Sequence, residues 1–169
     1  VGGSLGAQAL NDVVPQALAL FSPHERPRVL HQSGAAQIER LRANYAAAGV
    51  EAELTPFIDD PARAFAEADL IVCRAGASTV TEIAAIGAAA IFVPFPSAVD
   101  DHQTANARFL VDAGGGWLLP QSELSPERLA DMLRNMERTV LMSKALDAKK
   151  MQKMNATDAV VAACEELAA

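Results

Sequence analysis

At 169 residues, 51% of them hydrophobic and none in a long polar tract, the chain has the size and apolar content of one packed domain. Its formal net charge of −7, from 14 basic and 21 acidic side chains, disfavours a broad nucleic-acid surface, because phosphate backbones are bound by pooled lysine and arginine. Cys73 and Cys164 stand far apart, giving neither zinc-ligand spacing nor a disulfide framework and fitting a reducing cytoplasm, and no apolar run approaches the roughly 18 residues of a membrane span.

Val1 is followed at once by Gly2-Gly3-Ser4-Leu5-Gly6-Ala7, which reads as the turn after a strand; the expectation is a domain cut at its first strand. A helix is then expected to about Phe21, with Leu10, Val13, Val14, Ala17 and Leu18 recurring on one face and Pro15 placing a kink. The chain continues with a strand over 28–31, a helix over 36–48, a strand over 52–55, a short helix near 61–66 and a strand over 70–73. A helix over 78–86, a strand over 90–93, a helix over 101–113 and a strand over 116–119 come next, and helical patterns run to the end. The alternation predicts an α/β fold: a doubly wound, Rossmann-like parallel sheet with helices on both faces. Such sheets bind ligands beyond the carboxyl ends of their strands, so the strand-to-helix loops 2–7, 74–82 and 94–106 are the candidates for function.

Gly2, Gly3 and Gly6 sit between a strand end and a helix start, where missing side chains let backbone N–H groups approach an anion at the positive helix end. The turn reads as a phosphate site that lacks the Gly-Lys-Ser/Thr ending of a Walker loop, and Ser4 either bonds a phosphate oxygen or caps the helix. The second loop, Arg74-Ala75-Gly76-Ala77-Ser78-Thr79-Val80-Thr81-Glu82, opens another helix with small residues, and Arg74 can offer a guanidinium to phosphate or sugar oxygens. Glu82 has two readings. It can take ribose hydroxyls, or Thr79-x-x-Glu82 can be a capping box in which it satisfies only a backbone donor. In the third loop Pro94-Phe95-Pro96 stiffens the strand exit, and Gln103 and Asn106 share one helical face as two amides suited to sugar hydroxyls. The conservative reading makes Asp101 a helix N-cap and His102 a surface residue; no metal site is expected from Asp100, Asp101 and His102, whose neighbours point apart.

Taken in order, the glycine turn, Arg74-Ala75-Gly76-Ala77 with Thr79 and Glu82, Pro94-Phe95-Pro96, and Asp101-His102-Gln103 with Asn106 resemble the signature of the MurG family, glycosyltransferase family 28, through most of the chain. That resemblance implies that residues 1–169 form the C-terminal UDP-sugar-binding half of a two-domain GT-B enzyme. Such an enzyme moves N-acetylglucosamine from UDP-N-acetylglucosamine to a lipid-linked muramyl-pentapeptide in peptidoglycan synthesis. It further implies that Gly3, Ser4 and Gly6 hold the diphosphate, that the backbone of Ile58 reads the uracil edge, and that Glu82 binds the ribose. Arg74, Gln103 and Asn106 would face the diphosphate and sugar, with Gly76, Ala77, Ser78 and Thr79 lining the same site. The implied chemistry is an inverting transfer with no metal and no cofactor. Its partner is an N-terminal acceptor domain that carries the general base and the lipid-facing surface, on an enzyme peripheral to the cytoplasmic face of the membrane. The last helix, over 157–167, would pack on that domain. Two departures stand out: Ser78 sits where the family often has leucine, and Ala88-Ala89 where related transferases often carry a proline. The rival readings are the donor-binding subunit of a split transferase, against which the start at Val1 counts; a UDP-sugar epimerase; and a dinucleotide-binding oxidoreductase, whose Gly-x-Gly-x-x-Gly is missing.

Overall fold

The computed structural model describes residues 8–96, 101–153 and 156–168, so the glycine turn and its residues Gly2, Gly3, Ser4 and Gly6 lie outside the described residues. The elements run α1 (Gln8–Ala19), β1 (Leu30–Gln32), α2 (Ile38–Ala48), β2 (Glu53–Thr55), α3 (Pro61–Glu67), β3 (Ile71–Cys73), α4 (Ala77–Ile86) and β4 (Ala90–Phe92). They continue with α5 (His102–Val111), β5 (Gly116–Leu118), α6 (Pro126–Arg134), α7 (Arg138–Lys150) and α8 (Ala156–Ala168). Local chemistry sets several boundaries. Asp60 and Ser125 accept from the N–H groups of Arg63 and Arg128 at the starts of α3 and α6, each followed by a proline at the first helical position. α2 and α4 stop at Gly49 and Gly87, both in the left-handed conformation.

All strand pairing among the described residues is parallel, with β1 beside β2 and β4 central between β3 and β5. The fold is therefore the expected one, parallel sheets wrapped by helices, and side-chain alternation shows why. On β4, Ala90 and Phe92 join a buried cluster with Ile83 of α4, Leu110 of α5 and Ala148 of α7. Ile91 and Val93 turn the other way, towards Leu10 and Ala17 of α1 and Leu129 of α6. A strand covered on both faces must be apolar at every position, and each large side chain so buried contributes roughly 1.5–3 kcal/mol over exposure. A third cluster, Leu18, Leu41, Tyr45 and Val50, seats α1 on α2 and the β1–β2 pair, so α1 serves both sheets.

Three expectations need adjusting. The helix over 36–48 opens as a 3-10 turn, Ala35–Gln37, before α2 proper. Each strand pairs over three residues; Val93 and Leu119, expected in strands, donate one further bond each to Cys73 and Phe92 and end the ladder there. α1 continues through Pro15, which is buried. Between β4 and β5 the backbones approach so closely at Gly116 that a Cβ would lie 2.6 Å from the carbonyl oxygen of Ala90. No helix among the described residues is long and apolar enough to cross a membrane.

Candidate functional site

The carboxyl ends of β3 and β4 meet the amino ends of α4 and α5, and side chains of α5 join them. Gln103 accepts from the N–H of Ala75 at 3.3 Å and from the N–H of Phe95 at 3.0 Å, both through Oε1. One turn later Asn106 donates from Nδ2 to the carbonyl of Ala75 at 3.1 Å. Both amides thus face the same way, as their spacing requires, and together they grip the peptide groups on either side of Ala75, itself fully buried. The next residue, Gly76, is the N-cap of α4 in an extended conformation, and no described side chain caps this helix. Ala77 and Ser78 follow it, exposed, with Thr79 half-buried. Among the described residues, an added Cβ at Gly76 would find its nearest neighbour 3.9 Å away at Thr79 Oγ1, so these residues leave the space over this turn open. The result is a helix start whose first N–H groups have no side-chain acceptor among the described residues, pinned from behind by α5.

Behind the turn lies Arg74, 5% exposed. Its guanidinium donates to the carbonyls of Val93 at 3.0 Å and Pro94 at 3.2 Å and to Gln121 Oε1 at 2.6 Å, and it stacks over Phe95 at 5.3 Å from the ring centroid. Burial pulls its pKa down from the ordinary arginine value, while the carbonyl acceptors satisfy the charge where water is scarce. Arg74 therefore binds the exits of β3 and β4 and the turn after β5 into one unit. The preceding Cys73 is fully buried, and burial pushes its thiol up to about 12, which leaves it a packing residue.

The glycosyltransferase family 28 C-terminal domain profile matches residues 1–165. The chain belongs to this family. Its relatives include proteins of Albidiferax ferrireducens, 74% identical over 99% of this chain, and of Paracidovorax citrulli, 75% identical over 100% of it. Both are named UDP-N-acetylglucosamine--N-acetylmuramyl-(pentapeptide) pyrophosphoryl-undecaprenol N-acetylglucosamine transferase. The crystal structure of Acinetobacter baumannii MurG is similar with a TM-score of 0.89 and 47% identity, covering 98% of this chain and 50% of that one. The glycosyltransferase VinC, 24% identical with a TM-score of 0.57 over 85% of this chain and 32% of that one, shares the fold. The chain spans 43% and 48% of the length of the two curated relatives.

In this family 28 domain the expected site residues fall into three sets. Gly3, Ser4 and Gly6 lie outside the described residues. Arg74, Gly76, Ala77, Ser78, Thr79, Gln103 and Asn106 come together at the β3–α4 turn, and Glu82 is exposed further along α4. Ile58 occupies the β2–α3 loop, half-buried beside the exposed Phe57. One conservative reading is corrected, and a second holds for the position but not for the side chain. With Gly76 as N-cap, Thr79 is the third helical residue, so Thr79-x-x-Glu82 is not a capping box. Asp101 does occupy the N-cap of α5, but in a left-handed conformation with φ 41° and no side-chain cap bond; only its carbonyl takes part, accepting from Thr104 and Ala105. For a residue other than glycine that conformation costs about 1 kcal/mol. Gln121 was not foreseen. A polar side chain just past a strand end was its only signal in the sequence.

Proposed function

We propose that this chain is the UDP-sugar-binding half of an inverting N-acetylglucosaminyltransferase that glycosylates a lipid-linked muramyl-pentapeptide in peptidoglycan synthesis. The observation that carries the reading is the start of α4. Among the described residues it has no side-chain cap; it exposes Ala77 and Ser78 and is held in place by Gln103 and Asn106. Backbone N–H groups so arranged suit a diphosphate, and at the moment of transfer they would take up the charge that grows on UDP as it leaves. Ser4 with Gly3 and Gly6 would hold the same diphosphate from the start of α1, the backbone of Ile58 would read the uracil, and Glu82 would bind the ribose. Arg74 serves best from behind, by fixing the turn. Gln103 has an amide nitrogen and Asn106 an amide oxygen beyond the atoms that grip Ala75, and these are suited to sugar hydroxyls. The acceptor, the general base and the contact with the membrane's cytoplasmic face belong, in this reading, to an N-terminal domain, in keeping with the share of the relatives that this chain spans.

Calorimetric titration with UDP-N-acetylglucosamine, UDP-galactose, ADP and NADH tests the proposal. Uridine nucleotides should bind and the other two should not, with no change on adding a chelator, and Glu82→Ala should weaken the uridine ligands. Equal affinity for ADP and UDP would end the reading, and a preference for NADH would favour a dinucleotide-binding domain.

A further inference from the structure

A second polar cluster lies away from the β3–α4 turn, buried between α1, β1 and α2, and the chemistry outlined above does not use it. Asn11, in the first turn of α1, has no exposed surface, and His31 of β1 is only 6% exposed. His31 Nε2 lies 3.0 Å from Asn11 Oδ1, and Nδ1 lies 3.0 Å from the hydroxyl of Tyr45. Asn11 donates from Nδ2 to Gln37 Oε1 at 3.0 Å, so its Oδ1 can only accept. The proton of the imidazole is therefore on Nε2, and Nδ1 accepts from Tyr45. Burial agrees with a neutral ring, lowering its pKa to about 3.

The bonds continue beyond this cluster. Gln37 donates its N–H to the carbonyl of Gly34, and Gly34 donates to the carbonyl of Pro56, at 3.2 and 3.1 Å. Gly34 can turn both groups in these directions because it sits at φ 82°, a conformation that a side chain would strain. Thr55 Oγ1 then donates to the carbonyl of Phe57, beside Ile58. Hydrogen bonds, joined by covalent steps within Gln37 and from Pro56 to Thr55, thus link the first turn of α1 to the β2–α3 loop. In the nucleotide-sugar reading, on which the functional part of this inference rests, the first segment directly follows Gly3, Ser4 and Gly6, assigned to the diphosphate, and the second contains Ile58, assigned to the uracil.

We infer that His31, neutral and protonated on Nε2, is a positioning residue: through Asn11 it fixes the spacing between the diphosphate end of α1 and the uracil-reading loop at Ile58. Asn11 is the hinge of this link, because its oxygen is held by His31 while its nitrogen holds Gln37. Tyr45 stands on the far side of the ring and anchors it to α2 without belonging to the path.

The test is UDP titration of the full chain carrying His31→Phe, His31→Gln or Tyr45→Phe, with amide spectra recorded first without nucleotide. His31→Phe leaves Asn11 Oδ1 without its donor and should weaken UDP binding about tenfold, the loss associated with one buried unsatisfied acceptor. Its nucleotide-free spectrum should change at 10–13 and also at 57–59. His31→Gln, which keeps an Nε2–H directed at Asn11, should restore most of the affinity. Tyr45→Phe should bind UDP within about twofold of the parent chain, since its lost bond leaves Asn11 untouched. Unchanged UDP affinity in His31→Phe, or an equal loss in Tyr45→Phe, overturns the inference. Should His31→Phe fail to fold, Asn11→Ser takes its place with the same expected loss. If the parent chain does not bind UDP, the nucleotide-sugar reading fails by itself. The link is then decided by the nucleotide-free spectra: changes reaching 57–59 uphold it, and changes confined to α1 and β1 overturn it.

Discussion

Replacing Arg74 by alanine separates a strut from a ligand contact. The side chain donates to two main-chain carbonyls and to Gln121, and it covers the ring of Phe95. Hydrogen bonds from a charged donor each contribute roughly 1.5–3 kcal/mol, but removing the guanidinium also relieves the desolvation of a buried charge and lets water reach the carbonyls at the strand ends. We therefore expect a net loss of about 3 kcal/mol, near the upper end of what single substitutions cost. For a domain of this size each kcal/mol shifts the melting temperature by about 2–4 °C, so Arg74→Ala should melt about 6–12 °C lower. Arg74→Lys should recover less than half of that, because one ammonium cannot reach both carbonyls and Gln121 with the geometry of a planar fork. Calorimetric melts with and without UDP make the measurement. Were Arg74→Ala to melt within about 2 °C of the parent chain and yet lose UDP binding outright, the guanidinium would be a ligand group and the strut assignment would be refuted.

Gly76→Ala should leave stability within about 1 kcal/mol, since its backbone is extended and the described residues leave room for a new Cβ, yet weaken UDP binding by crowding the helix start. Urea melts alongside UDP titration check both halves. Gly116→Ala should cost about 2–3 kcal/mol in a urea melt, because its Cβ would meet the Ala90 carbonyl at 2.6 Å and the Phe92 ring at 3.0 Å, and β4 and β5 would have to part. His31 predicts a pH dependence. Its folded pKa of about 3 lies below the ordinary 6.5, so as pH falls the unfolded chain takes up the proton first. The stability contributed by the neutral ring is whole above 6.5 and falls by about 1.4 kcal/mol per pH unit as pH drops towards 3. Between pH 6.5 and pH 5, urea melts of the parent chain should lose about 2 kcal/mol more than those of His31→Gln, and equal losses would contradict this.

Much of this domain could be read from local pattern. The apolar runs at Ile71–Cys73 and Ala90–Phe92 had to be buried on two faces, and the spacing of Gln103 and Asn106 put both amides on one side of α5. What the pattern could not supply was the partner of each polar group. Gln103 and Asn106 were expected to meet sugar hydroxyls, and the amide atoms the structure accounts for hold the backbone around Ala75, because a turn that exposes its own N–H groups must be fixed from behind. Arg74 finds Gln121 across 47 residues of sequence, a distance over which no periodicity speaks. The Thr79 and Glu82 spacing imitated a capping box because the motif is defined by the residue that leaves helical geometry, here Gly76, three positions earlier. Asp101 took the N-cap position through its backbone alone, since a left-handed residue directs its side chain away from the first turn.

The account turns on the bare start of α4 as a diphosphate cradle. Amide spectra of 15N-labelled chain titrated with UDP and, in parallel, with uridine measure this residue by residue. UDP should move the amide signals of Ala77, Ser78 and Thr79 strongly, while uridine leaves those three in place and moves 57–59 and Glu82. Shifts at 77–79 that are the same for both ligands, or absent with UDP although it binds, would contradict the assignment of the diphosphate to this helix.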